Sequence, residues 1–327
     1  MKILVIGLGS MGKRRIRLIQ AFTTGHDIVG VDSSFSRREE SENLFGIKTY
    51  ESLSVAIEEF SPEAAFVSTP PLTHHTIITT LLENSIHVFS EINLVSLGYS
   101  RNISLAKERN LVLFLSSTPM YRKEIEYITN KVKENGKVAY RYHVGQYLPD
   151  WHPWENYKDF FVGDKRTSGL RELFGIEFPW IVNAFDEIVS FTTKSTKLTE
   201  LKIDYDDCFV LTVEHKNGTI GQLTFDVVCR KAIRDLLVYS EDIYLRWEGT
   251  PSTLRIYNIE KKEDEYISCY DEVVQDSRYS SNIVENAYVA EIEDFLSQIE
   301  NFGLKEPLHS FSKDKKIQDL IERVYKG

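Results

Sequence analysis

The sequence predicts an α/β protein built from an N-terminal doubly wound parallel sheet and a C-terminal α/β domain with a large open, mostly antiparallel sheet. Three observations predict it. The apolar run at residues 2–6 leads directly into Gly7-Leu8-Gly9-Ser10-Met11-Gly12, a helix-like stretch, and then Ile28-Val29-Gly30-Val31-Asp32. Up to residue 116, short apolar runs at 64–69, 87–90 and 111–116 alternate with helical stretches at 73–83 and 96–109, the order of parallel strands joined by crossover helices. A helix over 121–134, ended by Gly136, then gives way to β-rich runs at 138–146, 187–193, 208–215, 219–228, 234–239, 243–247 and 253–257. Lys216-Asn217-Gly218 and Ser240-Glu241-Asp242 predict hairpins within that region. Helices are expected at 170–184, 283–302 and 312–325. The expected division is 1–119 and 120–327.

The glycine turn explains itself residue by residue. Gly7 permits a tight turn, Gly9 lets bare backbone approach a pyrophosphate, and Gly12 lets the helix pack close to the strand, while the helix N-terminus offers N–H groups to phosphate. With a strand before it, a helix after it and Asp32 twenty residues beyond Gly12, the pattern reads as a dinucleotide site.

Composition narrows the rest. At 327 residues two domains are the default, and 42% hydrophobic with 27% charged residues describes an ordinary globular chain. A formal net charge of −10 disfavours nucleic acid and anionic membranes as partners. No apolar run approaches the ~20 residues of a membrane span, and no targeting segment is visible, so a cytoplasmic protein is expected. Cys208, Cys229 and Cys269 lack metal-ligand spacing; they read as reduced thiols, and no metal is expected.

Taken together, the glycine turn, Val67-Ser68-Thr69-Pro70-Pro71-Leu72-Thr73-His74, Glu91, Tyr121-Arg122, and the stretch through Tyr288, Glu291, Phe295, Leu296 and Pro307-Leu308 resemble the Gfo/Idh/MocA family of NAD(P)-dependent sugar and nucleotide-sugar oxidoreductases. The resemblance implies a Rossmann domain over 1–119 and a substrate-binding and oligomerisation domain over 120–327. It implies that Gly7, Gly9, Ser10, Met11 and Gly12 line the pyrophosphate and that Asp32 holds the adenosine ribose, which favours NAD over NADP. Arg37 and Arg38 would offset that preference if they reach a 2′-phosphate; otherwise they are exposed helix residues. Thr69, Pro70, Leu72 and His74 match the loop beside the cofactor, and Glu91 matches the residue at the nicotinamide ribose.

The chain departs from that family where chemistry is expected. Glu91-Ile92-Asn93 stands where the family has glutamate, lysine and proline, and isoleucine cannot move a proton. No histidine occurs in 170–180, where a family histidine is expected. Oxidising an alcohol needs a proton acceptor, worth on the order of 10²–10⁴ in rate. Tyr121, His152 and Glu177 are the candidates, with Glu172 beside them. Tyr147, Asp150, Trp151 and Trp154 are candidate sugar contacts, unless the tryptophans only pack, and Lys165 and Arg166 could hold an anionic group. The expected function is hydride transfer to or from a sugar-type substrate in a homo-oligomer formed through the C-terminal sheet. The alternatives are an NAD(P)-binding protein with little turnover and an enzyme that oxidises its substrate only transiently.

Overall fold

The computed structural model describes residues 1–151, 156–159, 161–276, 282–304 and 306–327. These residues form two compact units, one of 1–118 with 288–318 and one of 119–287 with 319–327. The chain thus returns to the first unit after building most of the second, a return that the single expected cut at 119/120 does not include.

The first unit contains β1 (Lys2–Ile6), α1 (Ser10–Phe22), β2 (Asp27–Val31), α2 (Phe35–Phe45), β3 (Lys48–Tyr50), α3 (Leu53–Phe60), β4 (Ala64–Val67), α4 (His74–Glu83), β5 (His87–Ser90), α5 (Tyr99–Glu108) and β6 (Leu113–Leu115). Its six strands are all parallel, in the order β3-β2-β1-β4-β5-β6. The strands are apolar on both faces because crossover helices cover both, which is why they read as continuous hydrophobic runs. Phe66, Phe89 and Phe114 stand in register on β4, β5 and β6 and stack at 4.7 and 5.1 Å between ring centroids. Phe295, from the returning segment, meets all three rings edge-on.

The second unit carries α6 (Lys123–Asn135), β7 (Ala139–Gly145), α7 (Gly169–Phe185), β8 (Ile188–Thr196), β9 (Cys208–His215), β10 (Ile220–Asp226), β11 (Ile233–Tyr239), β12 (Tyr244–Trp247), β13 (Arg255–Asn258) and β14 (Glu263–Tyr266). Helices α8 (Glu285–Glu300) and α9 (Phe311–Lys326) carry the chain out of this unit and back. The eight strands run in the order β14-β13-β12-β11-β7-β10-β9-β8, antiparallel throughout except for the parallel pair β7–β10. Both expected hairpins form, β9–β10 and β11–β12. Alternate residues of β7, β9 and β10 are buried, and Phe209 and Phe225 pack against Phe174 of α7. The opposite face of the strands carries Arg141, His143, Val210, Thr212, Gln222 and Thr224 and is half-buried to exposed.

Candidate active-site residues

In the first unit, β1 ends at Ile6 and the chain turns at Gly7, whose φ of +89° suits glycine and whose N–H donates to the Val31 carbonyl at 2.8 Å. A Cβ at Gly7 would stand 2.6 Å from the Ser68 carbonyl oxygen, and one at Gly12 would stand 1.9 Å from that of Gly7. Packing therefore requires both glycines. Gly9 differs: no heavy atom lies within 4 Å of where its Cβ would be. Gly9 caps α1 with no side chain, Ser10 is exposed, Met11 is half-buried, and the first turn holds no acidic residue. The N–H groups of Ser10, Met11 and Gly12 thus lie at the positive end of α1 without an intrahelical acceptor, a cradle that fits a pyrophosphate.

Asp32, 8% exposed, ends β2 and ties this loop together. Its Oδ2 accepts from Leu8 N and its Oδ1 from Ser34 N, both at 2.8 Å. Each carboxylate oxygen keeps acceptor capacity for a ribose hydroxyl. Arg38 is engaged by the carbonyls of Asp32 and Ser33, at 2.8 and 3.2 Å. Arg37 is exposed, with Nη1 3.8 Å from Asp32 Oδ2.

The next loop brings Thr69, half-buried, beside exposed Pro70 and half-buried Leu72. His74 is 1% exposed, with Nδ1 2.8 Å from Asn93 Oδ1 and Nε2 2.7 Å from the Thr69 carbonyl. Burial lowers its pKa below the usual histidine range. Here His74 holds the Thr69 loop in place rather than presenting a ring nitrogen, because both nitrogens are engaged inside the unit. Glu91 is likewise engaged: Arg15 donates to Oε1 at 2.7 Å and to Oε2 at 2.9 Å. Arg15, fully buried over the Phe89 ring, also reaches Glu291 Oε2 at 2.8 Å, and Glu291 Oε1 accepts from Ser117 N at 2.6 Å. Burial opposes the guanidinium charge of Arg15, but the two carboxylates outweigh it and raise its pKa further. The carboxyl of Glu291 is raised, chiefly by burial. Sequence reading placed Glu91 at the cofactor; both of its oxygens serve this ion cluster.

In the second unit, Tyr121 ends a short 3-10 turn and is half-buried. Glu177 proves to be a core residue, 1% exposed. It accepts from Tyr142 Oη at 2.7 Å, from Trp180 Nε1 at 2.6 Å, from Arg234 Nε at 3.1 Å and from Arg234 Nη2. Both of its oxygens are thus occupied by donors inside the core, at a residue for which sequence reading expects a catalytic role. Glu172 is the contrasting carboxyl: Oε2 is buried with no hydrogen-bond partner among the described residues, and burial pushes its pKa up to about 7.

Tyr147 is half-buried under the Arg230 guanidinium, 4.0 Å from its ring centroid. Trp151 donates to the Gln146 carbonyl at 2.9 Å, while Asp150 is exposed. Arg166 is held by Asp164 at 2.6 Å, and Lys165 is exposed. His152 and Trp154 lie outside the described residues.

One grouping escaped the sequence reading. His143 on β7, Asp226 at the end of β10 and Cys229 just beyond it bring three metal-binding donor types within 4.8 Å of one another. His143 Nε2 lies 2.6 Å from Asp226 Oδ2. The only sequence signal was Gly145, register partner of Asp226, where a Cβ would fall 2.4 Å from Oδ2.

A parallel sheet in this order, with a glycine cradle at the positive end of its first helix and a carboxylate closing its second strand, defines a dinucleotide-binding Rossmann domain. Residues 1–115 match the family model GFO_IDH_MocA, described as an oxidoreductase family with an NAD-binding Rossmann fold. Over those residues the chain is similar to the NAD-binding domain of that oxidoreductase family. No curated protein sequence matches the chain.

Among solved structures, the fold is similar over 99% of this chain and 96% of the other to the UDP-N-acetylglucosamine 3-dehydrogenase GnnA from Acidithiobacillus ferrooxidans, with 18% identity and a TM-score of 0.76. GenD2 from gentamicin A biosynthesis, in complex with NAD, is similar over 100% and 93% of the two chains, with 17% identity and a TM-score of 0.79. A levoglucosan dehydrogenase in complex with NADH is similar over 100% and 96%, with 14% identity and a TM-score of 0.82. No helix among the described residues is long and apolar enough to cross a membrane.

Proposed function

We propose that the chain is an NAD-dependent oxidoreductase acting on a hydroxyl of a sugar or nucleotide sugar. The observation that carries this reading is the Gly9 cradle, open at the Cβ position and set at the bare N-terminus of α1 above the Asp32 carboxylate. The N–H groups of Ser10, Met11 and Gly12 would hold the pyrophosphate and Asp32 the adenosine ribose hydroxyls. A bound nicotinamide supplies the hydride-accepting carbon. Asp32 repels a 2′-phosphate, so NAD is the preferred coenzyme; exposed Arg37 is the residue that would relax this preference. The sugar class is supported by similarly folded proteins whose names specify UDP-N-acetylglucosamine and levoglucosan. With Glu177 saturated in the core, Tyr121 and His152 remain as acceptors for the hydroxyl proton, and Tyr147, Asp150, Trp151, Trp154, Lys165 and Arg166 as substrate contacts.

The experiment incubates the protein with NAD⁺ and a panel of sugars and nucleotide sugars, following NADH absorbance and product mass together. A product lighter by two hydrogens with matching NADH is expected. Changed mass without NADH would point to transient oxidation, and no change in either would point to a binding protein with little turnover. Gly9→Trp, which fills the cradle, is expected to abolish NADH binding in a fluorescence titration. Unchanged binding would refute the nucleotide site.

The exposed face of the eight-stranded sheet carries Val210, Ile220, Tyr239 and Tyr244, each at least 41% exposed. We infer that a second copy of the chain covers it, in a cytoplasmic homo-oligomer. Light scattering on a size-exclusion column should then give at least a dimer mass.

A further inference from the structure

We propose that His143, Asp226 and Cys229 form a site for a zinc-type divalent cation, with three protein ligands and one open coordination position. The cluster lies at the C-terminal ends of β7 and β10, at the opposite end of those strands from Ile220 and Tyr239. Cys229 Sγ is 3.8 Å from His143 Nε2 and 3.5 Å from Asp226 Oδ2, and those two atoms are 2.6 Å apart. With Zn–S of about 2.3 Å and Zn–N and Zn–O of about 2.0–2.2 Å, a tetrahedral ion needs edges of about 3.5–3.6 Å to sulfur and about 3.3 Å between nitrogen and oxygen. The two sulfur edges are already close to those lengths. The third must open by roughly 0.7 Å on the same geometry, as an ion takes the place of the bridging proton. His143, with a side chain 32% exposed, has room for that movement.

The surroundings support the ligand set. Asp226 Oδ1 accepts from Val228 N at 2.9 Å and Cys229 N at 2.8 Å, which leaves Oδ2 for an ion. Gly145, lacking a Cβ, clears the space that this carboxylate fills. A cysteine nucleophile is the competing use of the same residues, but a thiol–imidazole–carboxylate relay places its two partners on opposite ring nitrogens. Here sulfur and carboxylate both address Nε2, as donors converging on one ion do. A sulfur, nitrogen and oxygen set suits zinc or cobalt rather than magnesium or calcium. Binding converts the Cys229 thiol to a metal-bound thiolate and shifts neutral His143 from its Nε2–H to its Nδ1–H tautomer, so that one proton is released to solvent in all and Asp226 and Cys229 balance the two positive charges.

The test uses the untagged, metal-free full chain titrated with cobalt(II) and then zinc. We expect one cobalt per chain, a thiolate-to-cobalt charge-transfer band with intense visible bands of a four-coordinate ion, and displacement by zinc. Cys229→Ser should abolish the charge-transfer band and Cys208→Ser should keep it. His143→Ala should weaken binding by more than the roughly 10–100-fold that follows loss of an outer-shell partner. Circular dichroism confirms that the partly exposed positions 143 and 229 tolerate substitution. A six-coordinate spectrum without the band, a band that survives Cys229→Ser, or no binding in the micromolar range would overturn the assignment.

Discussion

Glu91 and Glu177 are both buried glutamates gripped by an arginine, yet they belong to networks of opposite character. In the second unit, one guanidinium meets one carboxylate, and the remaining acceptor capacity is met by neutral donors from Tyr142 and Trp180. In the first unit, a single guanidinium, that of Arg15, serves both Glu91 and Glu291, and Arg15 Nη1 has no hydrogen-bond partner among the described residues. The Glu177 network is balanced in charge and the Glu91 network is not. The Glu291 carboxyl is raised above its ordinary pKa, chiefly by burial, with Arg15 opposing the rise and the Glu91 charge adding to it. A balanced network locks a core; an unbalanced one depends on its single cation.

The largest effect should therefore come from Arg15→Met, which strands two buried carboxylates and should cost about 3–5 kcal/mol in urea denaturation. Arg234→Met leaves Glu177 with two neutral donors and should cost about 1.5–3 kcal/mol. An equal or greater loss from Arg234→Met would end the distinction between the two networks. Glu291→Gln restores one cation to one carboxylate and keeps an acceptor for Ser117 N, so its cost should stay near 1 kcal/mol.

Smaller still is a pH effect from Glu172. Its folded pKa of about 7 lies above the ordinary 4.5, so the folded state holds the extra proton between those values. Its contribution to stability is complete below about pH 4.5 and is lost as the pH rises through about 7. Glu172→Gln should flatten the melting temperature across that window relative to wild type, and an unchanged slope would contradict the burial of this carboxyl. Smallest of all, Gly9→Ala should leave the melting temperature unaltered, because its Cβ meets nothing within 4 Å. Gly12→Ala, 1.9 Å from the Gly7 carbonyl, should not be tolerated in the same way.

What could be read in advance follows the same divide between local and distant causes. The glycine turn and Asp32 are legible because backbone demands at neighbouring positions write themselves into adjacent residues. Helix α2 is expected only as the helix carrying Arg37 and Arg38, without bounds, because Ser41 is its only buried residue and it shows no apolar stripe. Strand β14 was missed because Glu263-Asp264-Glu265-Tyr266 is a charged edge strand without strand-like composition. Glu177 looked like a site residue because a helical glutamate gives no sign of facing Arg234, 57 positions later. The His143, Asp226 and Cys229 cluster depends on the parallel pairing of β7 with β10, which a reading of turns and periodicity does not predict.

The return of residues 288–318 has a consequence for biogenesis. Phe295 roofs the Phe66, Phe89 and Phe114 rings, and Glu291 supplies the acceptor for Ser117 N and the second anion for Arg15. On the ribosome, residues 1–118 are synthesised well before the segment that completes their unit, and they must wait with an uncovered aromatic floor until residues 288–318 have been translated.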